Sequence, residues 1–200
     1  MSKKITAKDI LVPSGSLFII ALVATLLLAL VNGLTADKIA AQTAAAEAEA
    51  RQAVFAEADN FVEKTYTFKS TGASGSALGS QTYYEATDKK GNVIGYVFNT
   101  AYKGYGGDVS ATVGVDKKGK VTGIVPGDLS NETPGLGQTA SKPSFLKQFV
   151  GQDSQLTVVK SNAGDAQITA LTSATITSTA VTNDVNNALT MYAEITGGGK

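Results

Sequence analysis

The sequence of 200 residues contains no cysteine, no histidine and no tryptophan. The lack of cysteine excludes disulfides, thiolate nucleophiles, a lipoprotein anchor and iron–sulfur clusters held by thiolates. The lack of histidine excludes Ser-His-Asp triads and zinc sites of the usual kind. Any chemistry must therefore come from carboxylates, hydroxyls, lysines, backbone amides or a bound organic cofactor.

Neither sign of charge is in excess, since 17 Lys and Arg balance 17 Asp and Glu. A nucleic-acid partner would need clustered positive charge to neutralise phosphates, so we expect none. With 43% hydrophobic residues, a chain of this length is enough for one main globular domain and an appendage.

A long apolar run near the N-terminus predicts one transmembrane helix. Residues 10–31 supply about the 20 residues that a bilayer core requires. Lys3, Lys4 and Lys8 precede the run, which predicts a cytoplasmic N-terminus and an extracytoplasmic domain. A cleaved signal peptide is the alternative. We expect an anchor in the cell (inner) membrane, because the run is long for a signal peptide and residues 32–36 form a poor cleavage site.

The composition predicts three parts: residues 1–34 as cytoplasmic N-terminus and anchor, 35–60 as an alanine-rich helical stalk, and 61–200 as the extracytoplasmic domain. Residues 36–59 contain no Gly or Pro, so we expect a continuous helix there. A set of apolar residues at helical spacing near its end could dock on a core: Val54, Phe55, Ala58, Phe61 and Val62.

The rest of the chain predicts an α+β domain, with helices packed on a mostly antiparallel sheet. Residues 70–80, rich in Gly and Ser, indicate a loop. Alternating β-formers flank the turns at residues 88–92 and 116–120, which predicts two hairpins. Residues 145–150 indicate a short helix and 156–159 a strand. One face of a C-terminal helix is formed by Val181, Val185, Ala188, Leu189 and Tyr192.

Two stretches suggest more than packing. Residues 131–137 combine one carboxylate with a proline and two glycines, and form either a ligand loop or a plain connecting turn. Residues 172–179 are rich in hydroxyls and end where the C-terminal helix begins. Thr177 or Ser178 would cap that helix, and a helix N-terminus favours an anion such as phosphate. Capping alone is the alternative, but it does not explain why so many hydroxyls precede the cap.

Both stretches resemble the motifs of a known family. The run that leads into the helix resembles the S/T-G-A-T-x-T-S flavinylation motif: Ser173-Ala174-Thr175-Ile176-Thr177-Ser178. Residues 132–137 are similar to the same family's E-T-P-G-L-G motif. This family is the FMN-binding domain of Rnf and Na⁺-translocating NADH:quinone oxidoreductase complexes. Both motifs occur in the family's order behind a single N-terminal anchor, and in length the chain is most like the G subunit of Rnf complexes.

The resemblance implies a membrane-anchored electron carrier in a redox-driven ion-translocating oxidoreductase. FMN would be joined covalently to Thr175 by a phosphoester, and the chain would have no catalytic residue and no metal site of its own. The family depends on a separate flavin transferase, and this sequence offers no base beside Thr175 to activate its hydroxyl. The other partners implied are the membrane subunits of a Rnf-type complex and the lipid bilayer.

The resemblance also implies which residues form the cofactor site around Thr175. They are Glu132, Thr133, Gly135, Leu136 and Gly137 of the first motif, Tyr105 and Gly106 of a G-Y-G-G stretch, and Leu171, Thr172, Ser173, Ala174, Thr177 and Ser178 beside the attachment point. Ser173 stands where the family usually has Gly, and Thr169 stands where it usually has Asp.

Two other functions stay open at the level of sequence. One is a non-redox extracytoplasmic binding or scaffold module, which would be colourless. The other is a stand-alone extracytoplasmic FMN reductase of the same domain family, working with a different membrane partner.

Overall fold

The computed structural model describes residues 7–197, and the chain divides into two units, Met1–Ala46 and Glu47–Lys200. The first element is helix α1, Ala7–Val54. From Ile10 onward this helix is long and apolar enough to cross a membrane, and the side chains of residues 10–31 are exposed. Lys3 and Lys4, which contribute to the predicted orientation, lie outside the described residues.

The predicted stalk helix ends earlier than expected. It stops at Val54 instead of running to Asp59, and residues 61 and 62 belong to strand β1, Asn60–Thr71. At this end of the helix Val54 packs on the sheet, where a Cβ on Gly114 or Gly123 would lie about 3 Å from it. A buried cluster joins this turn to the sheet: Val54, Phe55, Ala58, Ala86 and Val97.

The sheet is an antiparallel meander in the order β1-β2-β3-β4-β5. Its remaining strands are β2 Ala77–Thr87, β3 Val93–Lys103, β4 Asp108–Asp116 and β5 Val121–Pro126. Both predicted hairpins are confirmed, and their turns have the same hydrogen-bond pattern. Asp88 and Asp116 each accept backbone N–H bonds from the residues two and four positions later.

The loop predicted over residues 70–80 is wrong. Only residues 72–76 form a turn, because β1 extends to Thr71 and β2 begins at Ala77. Strand β1 lies at the sheet edge and Phe68 is its one buried side chain, so its structure depends on backbone pairing with β2. The Gly and Ser residues of this segment therefore lie in the short turn and in the paired strands next to it.

The helices that follow the sheet in the chain cover one of its faces. A 3₁₀ helix at Gly137–Ser141 and helix α2 at Pro143–Leu146 precede a parallel strand pair, β6 Thr157–Val159 and β7 Gln167–Thr169. The predicted helix at residues 145–150 therefore begins earlier and is shorter, and β7 was not predicted. Helix α3, Thr175–Thr196, packs on β3 and β4 and buries Val181, Val185, Ala188 and Leu189 as predicted. The α+β class is confirmed.

The start of α3 corrects a prediction that matters for the site. The helix begins at Thr175 after Ala174, so neither Thr177 nor Ser178 is its N-cap. Instead, the buried Ser178 hydroxyl accepts a hydrogen bond from Leu171 N and donates one to Ala174 O. This side chain closes the loop before the helix and leaves Thr175 at the first helical position.

Candidate functional site

Three segments that are distant in sequence meet at a surface cavity of about 480 Å³. They are the turn between β3 and β4, the loop after β5, and the segment that begins α3. The volume lies within the range of small-molecule sites. The lining residues are Tyr105, Thr133, Leu136, Gly137, Ser173, Ala174, Thr175, Ile176 and Thr177.

One wall of the cavity is apolar and exposed. The side chains of Tyr105, Leu136 and Ile176 are 70%, 38% and 54% exposed. Other large side chains of this unit, such as Phe98 and Phe145, are almost completely buried in its core. An exposed aromatic and aliphatic surface inside a concavity suits a planar apolar ligand.

The other side of the cavity is the N-terminus of α3. No side chain caps the helix at Ala174, and the first backbone N–H groups of a helix have no partner within it. Together with the positive end of the helix dipole, they favour a phosphate. The Thr175 side chain is exposed at this point, so its hydroxyl is accessible.

Ser173 adopts a conformation that favours glycine. Its φ is 60°, in the left-handed region that costs an L-residue with a Cβ roughly 1–2 kcal/mol. The hydrogen bond from Ala174 N to Leu171 O spans this residue, so the left-handed turn carries the chain from β7 into α3. Glycine is the residue that meets this backbone requirement without strain.

Glu132 lies behind the cavity, and its side chain is 3% exposed. Its Oε1 accepts hydrogen bonds from Tyr105 N at 3.0 Å and Gly106 N at 2.9 Å. Its Oε2 accepts a hydrogen bond from the Thr177 hydroxyl. The carboxylate is therefore in contact with both other segments of the site.

The structure brings most of the predicted site residues to the cavity. Those that line it are Tyr105, Thr133, Leu136, Gly137, Ser173, Ala174, Thr175 and Thr177. The six that do not line it are Glu132, Gly106, Gly135, Leu171, Thr172 and Ser178. Of these, Glu132 and Ser178 are buried and hold neighbouring segments, and Gly135 forms an exposed turn with φ 74°.

Ile176 is a lining residue that was absent from the predicted set. It occupies the variable position of the motif, so the resemblance did not select it. Its position in the first turn of α3 could have identified it, because Thr177 and Ser178 are buried there while Ile176 is exposed. A large apolar side chain that faces away from the core beside a predicted attachment point is a candidate ligand contact.

Two carboxyls near these elements have shifted pKa values. Burial raises the pKa of Asp184, on α3, to about 8, and the charge of Asp108 adds to the effect, while the Thr100 hydroxyl opposes it. The backbone N–H and hydroxyl of Ser130 lower the pKa of Asp128 in the loop after β5. Within residues 7–197, no cluster of acidic side chains is arranged to hold a metal ion.

The residues present fit FMN. An apolar wall of Tyr105, Leu136 and Ile176 suits the ring system, and the uncapped N-terminus of α3 suits the phosphate. The exposed Thr175 hydroxyl is next to both.

Family comparisons match this region and the N-terminal segment. Residues 104–190, which include all three cavity segments, match the FMN-binding domain. Residues 1–54 match the RnfG N-terminal region.

Relatives of the chain are subunits of ion-translocating oxidoreductase complexes. It is 44% identical over 126 residues to the G subunit of the proton-translocating ferredoxin:NAD(+) oxidoreductase complex of Clostridium ljungdahlii. This match covers 60% of this chain and 64% of the Clostridium protein, so the chain spans just under two thirds of that relative's length. It is 35% identical over 189 residues to the G subunit of the Na(+)-translocating ferredoxin:NAD(+) oxidoreductase complex of Acetobacterium woodii, covering 90% and 89% of the two chains.

Solved structures share the fold. The C subunit of the Na(+)-translocating NADH-quinone reductase from Parabacteroides distasonis matches with a TM-score of 0.50 and 26% identity, covering 61% of this chain and 65% of that one. NqrC of Shewanella oneidensis matches with the same TM-score at 18% identity, covering 72% and 74%.

Proposed function

Since this chain belongs to the RnfG family, the G subunits of ion-translocating oxidoreductase complexes, we propose that it is a membrane-anchored electron carrier with FMN esterified to Thr175. It would relay electrons between partner subunits of a Rnf-type ion-translocating complex. The observation that carries the proposal is the exposed Thr175 hydroxyl at the uncapped start of α3, on the edge of the cavity.

The chain would bind and orient the cofactor and set its electrostatic environment. Tyr105, Leu136 and Ile176 would contact the ring system, and the first backbone N–H groups of α3 would hold the phosphate. Bound FMN supplies the electron transfer, accepting and donating electrons one or two at a time.

Attachment would need a second protein. A threonine hydroxyl needs a base or another activating group to act as a nucleophile. The residues that line the cavity include no carboxylate and no lysine, and the nearby Glu132 carboxylate is buried and accepts three hydrogen bonds. We therefore propose that a separate flavin transferase forms the phosphoester from a pyrophosphate-activated form of FMN. The P–O bond to the leaving phosphate group breaks as the bond to the Thr175 oxygen forms, the hydroxyl proton is released, and the chain gains FMN less one water.

The membrane segment would keep the carrier with its partner subunits. The exposed apolar side chains of residues 10–31 support insertion of α1 as a single transmembrane pass. We propose that residues 1–34 form the cytoplasmic N-terminus and anchor, 35–60 the stalk region, and 61–200 the extracytoplasmic FMN-binding domain. A covalent cofactor suits an exported domain, because it cannot be lost to the medium.

The test is the intact mass of the full chain expressed with and without a flavin transferase. We expect a mass increase of FMN less water only with the transferase, and ultraviolet fluorescence of the denatured band. Thr175→Ala should abolish both signals. Thr179→Ala is the matched control, since its hydroxyl donates to Thr175 O one helical turn later and forms no part of the cavity.

Three results would contradict the proposal. Flavin that remains covalently bound to Thr175→Ala would overturn the assignment of the residue. An unmodified, colourless wild-type chain would favour the non-redox binding module instead. If the chain is flavinylated but co-purifies with none of the Rnf-type membrane subunits, a stand-alone reductase would become the better description.

A further inference from the structure

All hydrogen bonds between the three cavity segments, as far as the structure describes them, end on one carboxylate. Glu132 Oε1 accepts from Tyr105 N and Gly106 N in the β3–β4 turn, and Oε2 accepts from the Thr177 hydroxyl in α3. Other hydrogen bonds of these segments, such as Gly104 N to Gly107 O and Gly127 N to Ser110 O, do not join one of the three segments to another.

The space around this carboxylate is made by glycines. A Cβ on Gly104 would lie 2.6 Å from Glu132 Oε1, and a Cβ on Gly137 would lie 2.7 Å from Oε2. Glu132 itself is 3% exposed and does not line the cavity. The carboxylate therefore lies in a closed slot between the segments.

Hydrogen-bond donors, and not a cation, balance the charge of Glu132. The ion pairs found among residues 7–197 are Arg51 with Glu47 and Lys64 with Glu85, and neither includes it. Two backbone N–H groups and one hydroxyl point at the carboxylate, and charge-assisted bonds of this kind are stronger than neutral ones. The first turn of α3, which carries Thr177, adds the positive end of the helix dipole.

We propose that Glu132 is the positioning residue of the FMN site, holding the Tyr105 turn and the Thr175 end of α3 in register without contacting the cofactor. This inference rests on the proposed function, and it replaces the direct cofactor contact that the family resemblance implied for Glu132. The residue acts through others: its bonds fix the backbone that presents the Tyr105 ring and the helical turn that presents the Thr175 hydroxyl.

Three variants distinguish the hydrogen bonds of Glu132, which position its neighbours, from its negative charge. Glu132→Ala removes all three bonds. Glu132→Gln keeps an oxygen for the two N–H groups, and its amide can donate to the Thr177 hydroxyl, so it keeps the bonds and loses the charge. Thr177→Val removes only the link to α3, and it provides a second test if Glu132→Ala does not fold.

Glu194 provides a matched control at the other end of α3. Its carboxylate also accepts two backbone N–H bonds, from Lys69 and Ser70, and one bond from the Ser70 hydroxyl. Glu194→Ala therefore removes the same kinds of bond far along the helix from Thr175. It measures the effect of general destabilisation on flavin loading.

The experiment uses the full chain, co-expressed with a flavin transferase, and follows two signals. Intact mass gives the fraction of chains that carry flavin, and the fluorescence of the folded protein reports contact between the flavin and an aromatic ring such as Tyr105. We expect Glu132→Ala and Thr177→Val to lower the loaded fraction several-fold, or to raise the fluorescence of the flavin that is attached. Glu132→Gln should restore both signals to near the wild-type values, and Glu194→Ala should change neither.

Each outcome decides a different claim. If wild type carries flavin while Glu132→Ala and Thr177→Val match it in load and fluorescence, the positioning role is wrong and the proposed function stands. If Glu132→Gln behaves like Glu132→Ala, the charge and not the position matters, which also overturns the inference. If wild type takes up no flavin, the proposed function fails and this inference fails with it.

Discussion

The side chains of Glu132 and Thr177, 45 residues apart in the chain, are hydrogen-bonded to each other beneath the cavity. The loop after β5 and the first turn of α3 are therefore joined through side chains where no backbone bond joins them. Because both groups are buried, water cannot replace either partner when the other is removed.

We expect this pair to show strong thermodynamic coupling in the protein without flavin. A hydrogen bond to a charged group contributes about 1.5–3 kcal/mol, and a carboxylate left without its partner loses more than the bond alone. The combined Glu132→Ala and Thr177→Val variant should therefore cost about 1–2 kcal/mol less than the sum of the single variants. The measurement is thermal or urea unfolding followed by tyrosine circular dichroism. Additive effects would show that the bond contributes nothing measurable.

Alanine substitutions at two adjacent glycines in the β3–β4 turn should change the free energy of unfolding by very different amounts. A Cβ on Gly106 would lie 1.8 Å from the backbone oxygen of Asn131, whereas a Cβ on Gly107 would meet nothing closer than 3.8 Å. Gly106→Ala forces the two backbones apart and should cost about 2–3 kcal/mol of unfolding free energy. Gly107→Ala is the control and should change it by less than about 1 kcal/mol. Equal effects at the two positions would contradict the close approach of turn and loop.

The sequence predicts the regular parts of the fold because their signals are local. The turns at Asp88 and Asp116 use side chains that bond to backbone within four residues, and the apolar face of α3 repeats at helical spacing. Strand β1 was missed because it is an edge strand with Phe68 as its one buried side chain. Its position depends on pairing with β2, which no short window of sequence reveals.

The candidate site was only partly predictable for the same reason. The motifs identify Thr175 and residues 132–137 as candidate site residues. They do not distinguish a residue that contacts the ligand from one that only positions its neighbours. The role of Glu132 depends on partners that are 26, 27 and 45 residues away. The exposure of Ile176 follows from the start of α3 at Thr175, two or three residues before the predicted cap.

Ser173→Gly should stabilise the chain. Ser173 has φ 60°, and its side chain makes no hydrogen bond among the described residues, so nothing offsets the cost of the left-handed conformation. Removing the Cβ should add about 1 kcal/mol to the free energy of unfolding, after the greater entropy of glycine in the unfolded chain is counted. Ser173→Ala keeps the Cβ and should give no gain. A loss of stability in Ser173→Gly would mean that the serine side chain has a structural role.

Asp184 should make the stability of the protein depend on pH between 5 and 8. The carboxyl is fully buried on α3, and neither oxygen accepts a hydrogen bond of standard geometry among the described residues: the Thr100 hydroxyl is close enough to lower the pKa but donates to Ala111 O. Burial raises its pKa from 3.8 to about 8, and the groups that act on it are Asp108, which raises the pKa further, and the Thr100 hydroxyl, which lowers it. The folded protein therefore holds a proton at Asp184 that the unfolded chain releases above about pH 4.

The sign of the effect follows from this raised pKa. The contribution of protonated Asp184 is fully present below pH 3.8 and is lost as pH rises towards 8. The free energy of unfolding should fall by about 1.4 kcal/mol per pH unit, or on the order of 4 kcal/mol between pH 5 and 8. Asp184→Asn, which cannot ionise, should remove this slope. Urea unfolding of both proteins at each pH gives the measurement.

The other groups with shifted pKa values do not titrate between pH 5 and 8. Hydrogen bonds lower the pKa values of Asp88, Asp128 and Glu194, so the stability from these groups is present above pH 4 and is lost only at lower pH. Burial raises the pKa values of Tyr83 and Tyr96 above 10, which places their effect at higher pH, and the sequence has no histidine to titrate between 5 and 8. A wild-type slope that persists unchanged in Asp184→Asn would therefore show that Asp184 is not the buried acid responsible.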